Sequence, residues 1–351
     1  MVNLQAVRPE DLTEQVPGIT IEEARKIVGA VHRLDCLPQA VRMVRRTSLD
    51  ALRGAGTLQR LDVGTVHRSK FDPFVRYALR TADGHSVETV RIPLERAGRF
   101  SVCISSQSGC GLGCSFCATG RMGLRRNLEA WEMIEQVLIV RRGLDRARRE
   151  RVHGIVFQGM GEPLANAGNV IQAIRVLCEP SAQAIDGRTV TVCTVGIPHG
   201  IRRLAQDLPK VRLGVSIGSA RPEVRRILMP VERAHPLAEV LEAAAEHARV
   251  TGLASMWAVT PLAGINDTEE DALALAGQAQ VFLRATGLRP QIRIIPYNSI
   301  DPPAGELYRQ SEGAAVSRFR EILRAEGFSA HLRYSGGADI FAACGQLAAR
   351  T

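Results

Sequence analysis

The chain has 351 residues, 45% of them hydrophobic and 23% charged, enough to bury a sizeable core and unlike a disordered chain, a collagen or a small disulfide scaffold. Forty-five Lys and Arg against 36 Asp and Glu give a formal charge of +9; only Lys26, Lys70 and Lys210 are lysines, so arginine supplies a basic surface suited to a polyanion such as RNA. The longest uncharged stretch, Val250 to Asn266, is broken by Gly252, Pro261 and Gly264, and the N-terminal MVNLQAVRPEDLTEQ has acids where an export signal needs an apolar run; neither a membrane span nor secretion is expected, and the compartment expected is the cytoplasm.

Residues 1–70 carry helical patterns, such as Ile21, Ala24, Ile27, Val28 and Val31, and no strand signal, which predicts a small helical accessory domain. FVRYALRTADGHSVETVRIP then reads as two strands about an Asp-Gly turn, a hairpin linker over residues 71–95. From Arg99 onward strands and helices alternate. RFSVCISS precedes a helix through WEMIEQVLIVRR, GIVFQ precedes NVIQAIRVL, and RTVTVC precedes HGIRRLA. VRLGVSI leads into a helical stretch, LASMWAVT into DALALAGQAQVFLRA, and PQIRIIPYN into AVSRFREILRAEG. Six such units predict a parallel sheet with crossover helices, and being fewer than eight they predict an α/β fold closed as a partial (β/α)6 barrel. Ligands of such sheets gather at the C-terminal strand ends. Those positions hold the Cys110 cluster, GMGEP, CTVG, Ser216 and Asn298.

Of the eight cysteines, Cys110, Cys114 and Cys117 crowd into one Gly-rich loop, GCGLGCSFCATG, with metal-site rather than disulfide spacing. Structural zinc and ordinary iron–sulfur sites take four protein ligands. Three thiolates leave one iron open to chelate a substrate. The rival reading is a zinc site that borrows Cys103 in a non-catalytic, zinc-stabilised RNA-binding protein; it gives no reason for three clustered ligands plus Cys344. In GMGEP, two glycines sit where backbone must approach a ligand, and Glu162 where an ammonium needs a counter-charge. Cys36 and Cys178 fall in helical patterns and read as incidental thiols. The arginine run from Arg141 to Arg151 reads as a solvated helix end.

Taken in order, CISSQSGCGLGCSFCATGRMGLRRNL, QGMGEPLAN, TVGI, GIND, IIPYN and GADIFAACGQL resemble the radical S-adenosylmethionine (SAM) adenine methyltransferases that act on large-subunit ribosomal RNA and, in one branch, on tRNA; the resemblance runs from about Val87 to Leu347. It implies a radical-SAM core over 96–339 and a tail over 340–351. It also implies one 4Fe–4S cluster on Cys110, Cys114 and Cys117, and two SAM molecules per turnover held by Gly161, Glu162, Cys193, Ser216, Ile217, Gly218 and Asn298. Adenine C2 and C8 are not nucleophiles, so neither can simply attack the SAM methyl group. In the family one SAM methylates a C-terminal cysteine, here Cys344, and a second is cleaved to a radical that activates the S-methyl carbon for addition to adenine. By the same resemblance Glu88 is the proton acceptor, and Cys103 resolves the adduct through a transient disulfide with Cys344. The implied partners are 23S rRNA, tRNA and a flavodoxin- or ferredoxin-like electron donor. Ser216-Ile217-Gly218 stands where the family writes Ser-Leu-His, and Cys193 where it often writes serine. GMGEP and CATGRMGLRRNL favour the C2 branch, while PLAN and TVGI are closer to C8.

Overall fold

The computed structural model describes residues 1–145, 147–300 and 306–348; Arg146 of the arginine run and the last three residues of the expected tail lie outside them. The N-terminal region contains β1 (Val2–Asn3), helices α1 (Pro9–Gln15), α2 (Ile21–Leu34) and α3 (Arg46–Ala55), and β2 (Gly56–Thr57). Helix α2 starts where Thr20 and Glu23 cap each other reciprocally: Thr20 Oγ1 accepts from the Glu23 N–H at 3.3 Å and Glu23 returns a carboxylate to the Thr20 N–H at 3.2 Å. Its apolar stripe, Ala24, Ile27, Val28 and Val31, closes a core of its own with Leu12, Leu49 and Leu52.

Three strands, however, fall inside a stretch expected to have none. β1 and β2 are two-residue parallel partners, and β3 (Asp62–Arg68) is an exposed edge strand bulged between Val63 and Val66. An edge strand that buries no face carries no apolar alternation, so its sequence gives no period to detect. The hairpin β4 (Val75–Arg80) and β5 (Ser86–Pro93) forms as expected, with Thr81 and His85 closing its turn. It is paired to β3 on one side and to β6 (Arg99–Ile104) on the other, so residues 71–95 are part of the main sheet rather than a linker.

β7 (Gln107–Cys110), α4 (Ala118–Arg121) and β8 (Gly123–Asn127) follow β6, and α5 (Ala130–Arg142) crosses over to β9 (Arg151–Phe157). Then come α6 (Ala167–Cys178), β10 (Val190–Thr194), α7 (Pro198–Asp207), β11 (Arg212–Ser216), α8 (Pro222–Leu228), α9 (Leu237–Thr251) and β12 (Met256–Val259). The last elements are α10 (Glu269–Thr286), β13 (Gln291–Ile294), α11 (Gly313–Ala325) and β14 (Ala330–Leu332). The ten-stranded sheet has the order β14-β13-β12-β11-β10-β9-β6-β5-β4-β3, parallel from β14 to β6 and antiparallel thereafter. All six expected βα strands are present, and β14 adds a seventh parallel strand too short to announce itself. The open sheet is a partial barrel whose core packs Trp257, Phe157, Ile292 and Val192 under the crossover helices.

The basic end of α5 is not merely solvated. Arg142 pairs with Glu135 at 2.7 Å and with Asp35 of the N-terminal region, while Arg141 donates to the His32 carbonyl. These contacts fasten the helical region to the barrel. Among the described residues no helix is long and apolar enough to cross a membrane.

Candidate active site

The parallel strands end on one cleft, and Cys110, Cys114, Cys117, Glu162, Cys193, Ser216, Asn298 and Cys344 all line it. Gly161 and Gly218 complete its wall. The cysteine loop is gripped at both ends: β7 pairs with β8, and Ser115 donates to the Leu228 carbonyl at the end of α8 through its N–H (3.0 Å) and through its hydroxyl (3.2 Å). Burial pushes the Cys110 thiol up to about 11 and also raises Cys114 and Cys117. Backbone N–H groups work the other way: that of Leu112 on Cys110 and those of Thr119 and Gly120 on Cys117 favour the thiolates. Desolvated sulfurs that receive N–H bonds and share one wall suit an iron–sulfur cluster. No three Cys, His, Asp or Glu side chains among the described residues converge on one ion position.

The zinc alternative needed Cys103 as a fourth ligand. Cys103 instead lies on β6 among Phe74, Met160, Ile340, Ala342 and Leu347, and its thiol neighbours are Cys193 and Cys344. That placement removes the four-cysteine zinc site.

The turn after β9 is built by close approach. Gly161 has φ +96°, and a Cβ there would stand 2.5 Å from Cβ of Gln107; one at Gly159 would stand 2.7 Å from the Ile104 carbonyl oxygen. The glycines thus let this turn press against the β6–β7 segment. Gln107 Oε1 accepts from the Glu162 N–H at 2.8 Å. The Glu162 carboxylate accepts from the N–H groups of Leu164 at 3.0 Å and Val195 at 2.9 Å, which favour its charged form against the burial that raises its pKa. A buried carboxylate held this way on the cleft wall is a ready partner for an ammonium.

The side chain of Ile217 turns away from the cleft. Side chains alternate along an extended strand, and while Ser216 and Gly218 face the cleft, Ile217 points into the main hydrophobic core. Where the family writes histidine, Gly218 has φ +70° and its Cβ would meet Sδ of Met229 at 2.2 Å, so this backbone admits no side chain there without moving Met229.

The tail is docked. Asn298 Nδ2 donates to the Cys344 carbonyl at 3.2 Å, the Ala118 N–H to the Gly345 carbonyl at 2.8 Å, and Gln346 Nε2 to the Ser299 carbonyl at 3.1 Å. Cys344 stays open to solvent in the cleft, and all eight cysteines are free thiols. Glu88 is not the exposed strand carboxylate its pattern allowed: it is fully buried beneath the tail, ion-paired with Arg76, and does not line the cleft.

Two residues escaped sequence reasoning. Arg225 is buried beside Cys114, ion-paired with Glu232, and donates to the carbonyls of Ile217 (2.9 Å) and Val195 (2.7 Å), so it ties two cleft loops together. Arg333, just past β14, places its charge near Cys193 and Cys344. Neither arginine stands out in a chain so rich in them.

Residues 104–277 match the radical SAM superfamily. The chain is 55% identical to a probable RNA methyltransferase of Sorangium cellulosum over 97% of this chain and 90% of that one. It is 40% identical to the dual-specificity RNA methyltransferase RlmN of Syntrophobacter fumaroxidans over 78% of this chain and 76% of the relative. The crystal structure of a radical SAM methyltransferase from Sphaerobacter thermophilus superposes with a TM-score of 0.86 at 34% identity, covering 100% of both chains.

Proposed function

The chain belongs to the radical SAM RNA methyltransferases that include the RlmN enzymes, and on that premise we propose that it methylates ring carbon C2 of an adenine in 23S rRNA, with tRNA as a second substrate, in the cytoplasm. The observation that carries this reading is the tail lying across the cysteine loop: Ala118, next to Cys117, holds Gly345, next to Cys344. A thiol so placed can take a methyl group from a molecule in the cleft and hand the carbon to a base at the mouth. The net charge of +9 suits an RNA partner.

In this proposal Cys110, Cys114 and Cys117 hold a 4Fe–4S cluster, and Gly161, Glu162, Cys193, Ser216, Gly218 and Asn298 surround SAM. When bound, the cluster supplies the electron for reductive cleavage of SAM, with a flavodoxin- or ferredoxin-like protein as the external donor. The chain's own residues do the rest. Glu162 offers its carboxylate to the SAM ammonium, and Cys344 accepts the methyl group. Once the carbon is joined to adenine, Glu88 takes the ring proton and Cys103 attacks the Cys344 sulfur to free the product. The tail covers Glu88, so lifting it toward RNA presents Cys344 and uncovers the proton acceptor in one movement.

Nucleoside mass spectrometry of ribosomal RNA and tRNA from a deletion strain tests the reading. The expected result is loss of 2-methyladenosine, restored by the wild-type gene and not by Cys344→Ala. Loss of 8-methyladenosine instead assigns the C8 position, and unchanged RNA rejects the proposal.

A further inference from the structure

One thiol of the site, Cys193, lines the SAM cleft but takes part in no bond-making step of this cycle. Cys103 on β6 is in register with Val156 on β9, and Val156 with Thr191 on β10. Residues two apart on a strand share a face, so Cys193 stands on the same face of the sheet as Cys103, with β9 between them. The tail crosses this face. Ile340, Ala342 and Leu347 pack with Cys103, whereas Cys344 and Cys193 line the same open cleft. Cys344 is near enough to both that a charge on its sulfur disfavours charge on either partner. Burial raises both thiols, and the Arg333 charge acts against it at Cys193 and Cys344 alike.

We propose that Cys193 is a second disulfide partner of Cys344, so that the adduct on Cys344 is resolved by Cys103 or by Cys193. The proposal rests on the methyl-carrier reading above. The Cys193 thiol releases its proton to water in the cleft, and its thiolate attacks the Cys344 sulfur. The S–S bond forms as the S–CH2 bond breaks; the electron pair leaves with the carbon, which takes up a proton and departs as the methyl group of the base. An external dithiol then returns the disulfide to two thiols and is itself oxidised to a disulfide. Surroundings separate the two partners. Cys103 packs against Phe74, Met160 and the tail's Ile340, Ala342 and Leu347, while Cys193, equally buried, lines the cleft that Cys344 also lines.

The test is disulfide mapping on the full-length, cluster-loaded protein. Anaerobic protein is treated with diamide, alkylated, digested and analysed by mass spectrometry without reduction. Wild type should give both Cys103–Cys344 and Cys193–Cys344 peptides; Cys103→Ala should keep the second and Cys193→Ser only the first. In turnover Cys103→Ala should still release methylated RNA slowly, and the variant with both changes should release none. Absence of the Cys193–Cys344 peptide from Cys103→Ala, while Cys344 still accepts a methyl group, overturns the proposal. Failure of Cys344 to accept a methyl group in wild type defeats the carrier reading instead, and with it the role of Cys193 in turnover.

Discussion

Glu88 Oε2 accepts a 3.0 Å hydrogen bond from the backbone N–H of Ala348, four residues beyond Cys344, while Oε1 pairs with the buried Arg76. The expected proton acceptor therefore also fastens the tail that bears the expected methyl carrier. Two substitutions separate these roles. Glu88→Ala removes both and strands Arg76 in the interior, a loss of about 3–5 kcal/mol by analogy with other broken buried pairs. Glu88→Gln keeps an acceptor for the tail but not the base. It should still load a methyl group on Cys344, and its release of RNA should fall by about a hundredfold or more. Normal turnover of Glu88→Gln would reduce Glu88 to a fastening for the tail.

The cysteine loop makes a prediction about metal content. Anaerobically purified protein should be brown and carry about four irons with matching sulfide, as a site-open cluster requires. Replacing Cys110, Cys114 or Cys117 with Ala should strip it, whereas Cys103→Ala should not, because Cys103 lies apart from that wall. Stoichiometric zinc without iron after anaerobic reconstitution would contradict the assignment.

Cys344→Ala should abolish both the single-methyl mass increment and RNA methylation while leaving the iron content unchanged. Cys103→Ala should keep the increment and accumulate RNA bound through Cys344, seen as a nuclease-trimmed nucleotide that survives denaturation and is released only slowly. Loss of the cluster in Cys103→Ala would make that residue a ligand.

Local features of this molecule were legible in its sequence. The cysteine spacing, the glycine turn before Glu162 and the six buried strands each declare themselves within about ten residues, because apolar runs and turn residues act over that range. Glu88 did not. Arg76 is in register with Val90, so its ion pair with Glu88 is a cross-strand diagonal visible only once the β4–β5 register is known. The direction of the Ile217 side chain was hidden for the opposite reason: a motif supplies a segment, and strand alternation decides which of its side chains turns to the cleft. The tail's seat on Ala118 and Asn298 joins positions more than 40 residues apart and leaves no local trace.

The interior also sets a pH limit. His247 is fully buried in α9, its Nε2 has no hydrogen-bond partner among the described residues, and desolvation lowers its pKa from 6.5 to about 4. Between those values the unfolded chain binds a proton that the folded protein refuses, so stability is lost as pH falls through that window and is regained above it. The contribution should reach roughly 2 kcal/mol between pH 7 and pH 5. Urea unfolding midpoints measured across that range should therefore fall less steeply for His247→Gln than for wild type, whatever the variant's stability at pH 7. His32, also buried and also lowered to about 4, is unchanged in both proteins and cancels from the comparison. Parallel pH profiles would mean that His247 is hydrated or partnered in solution.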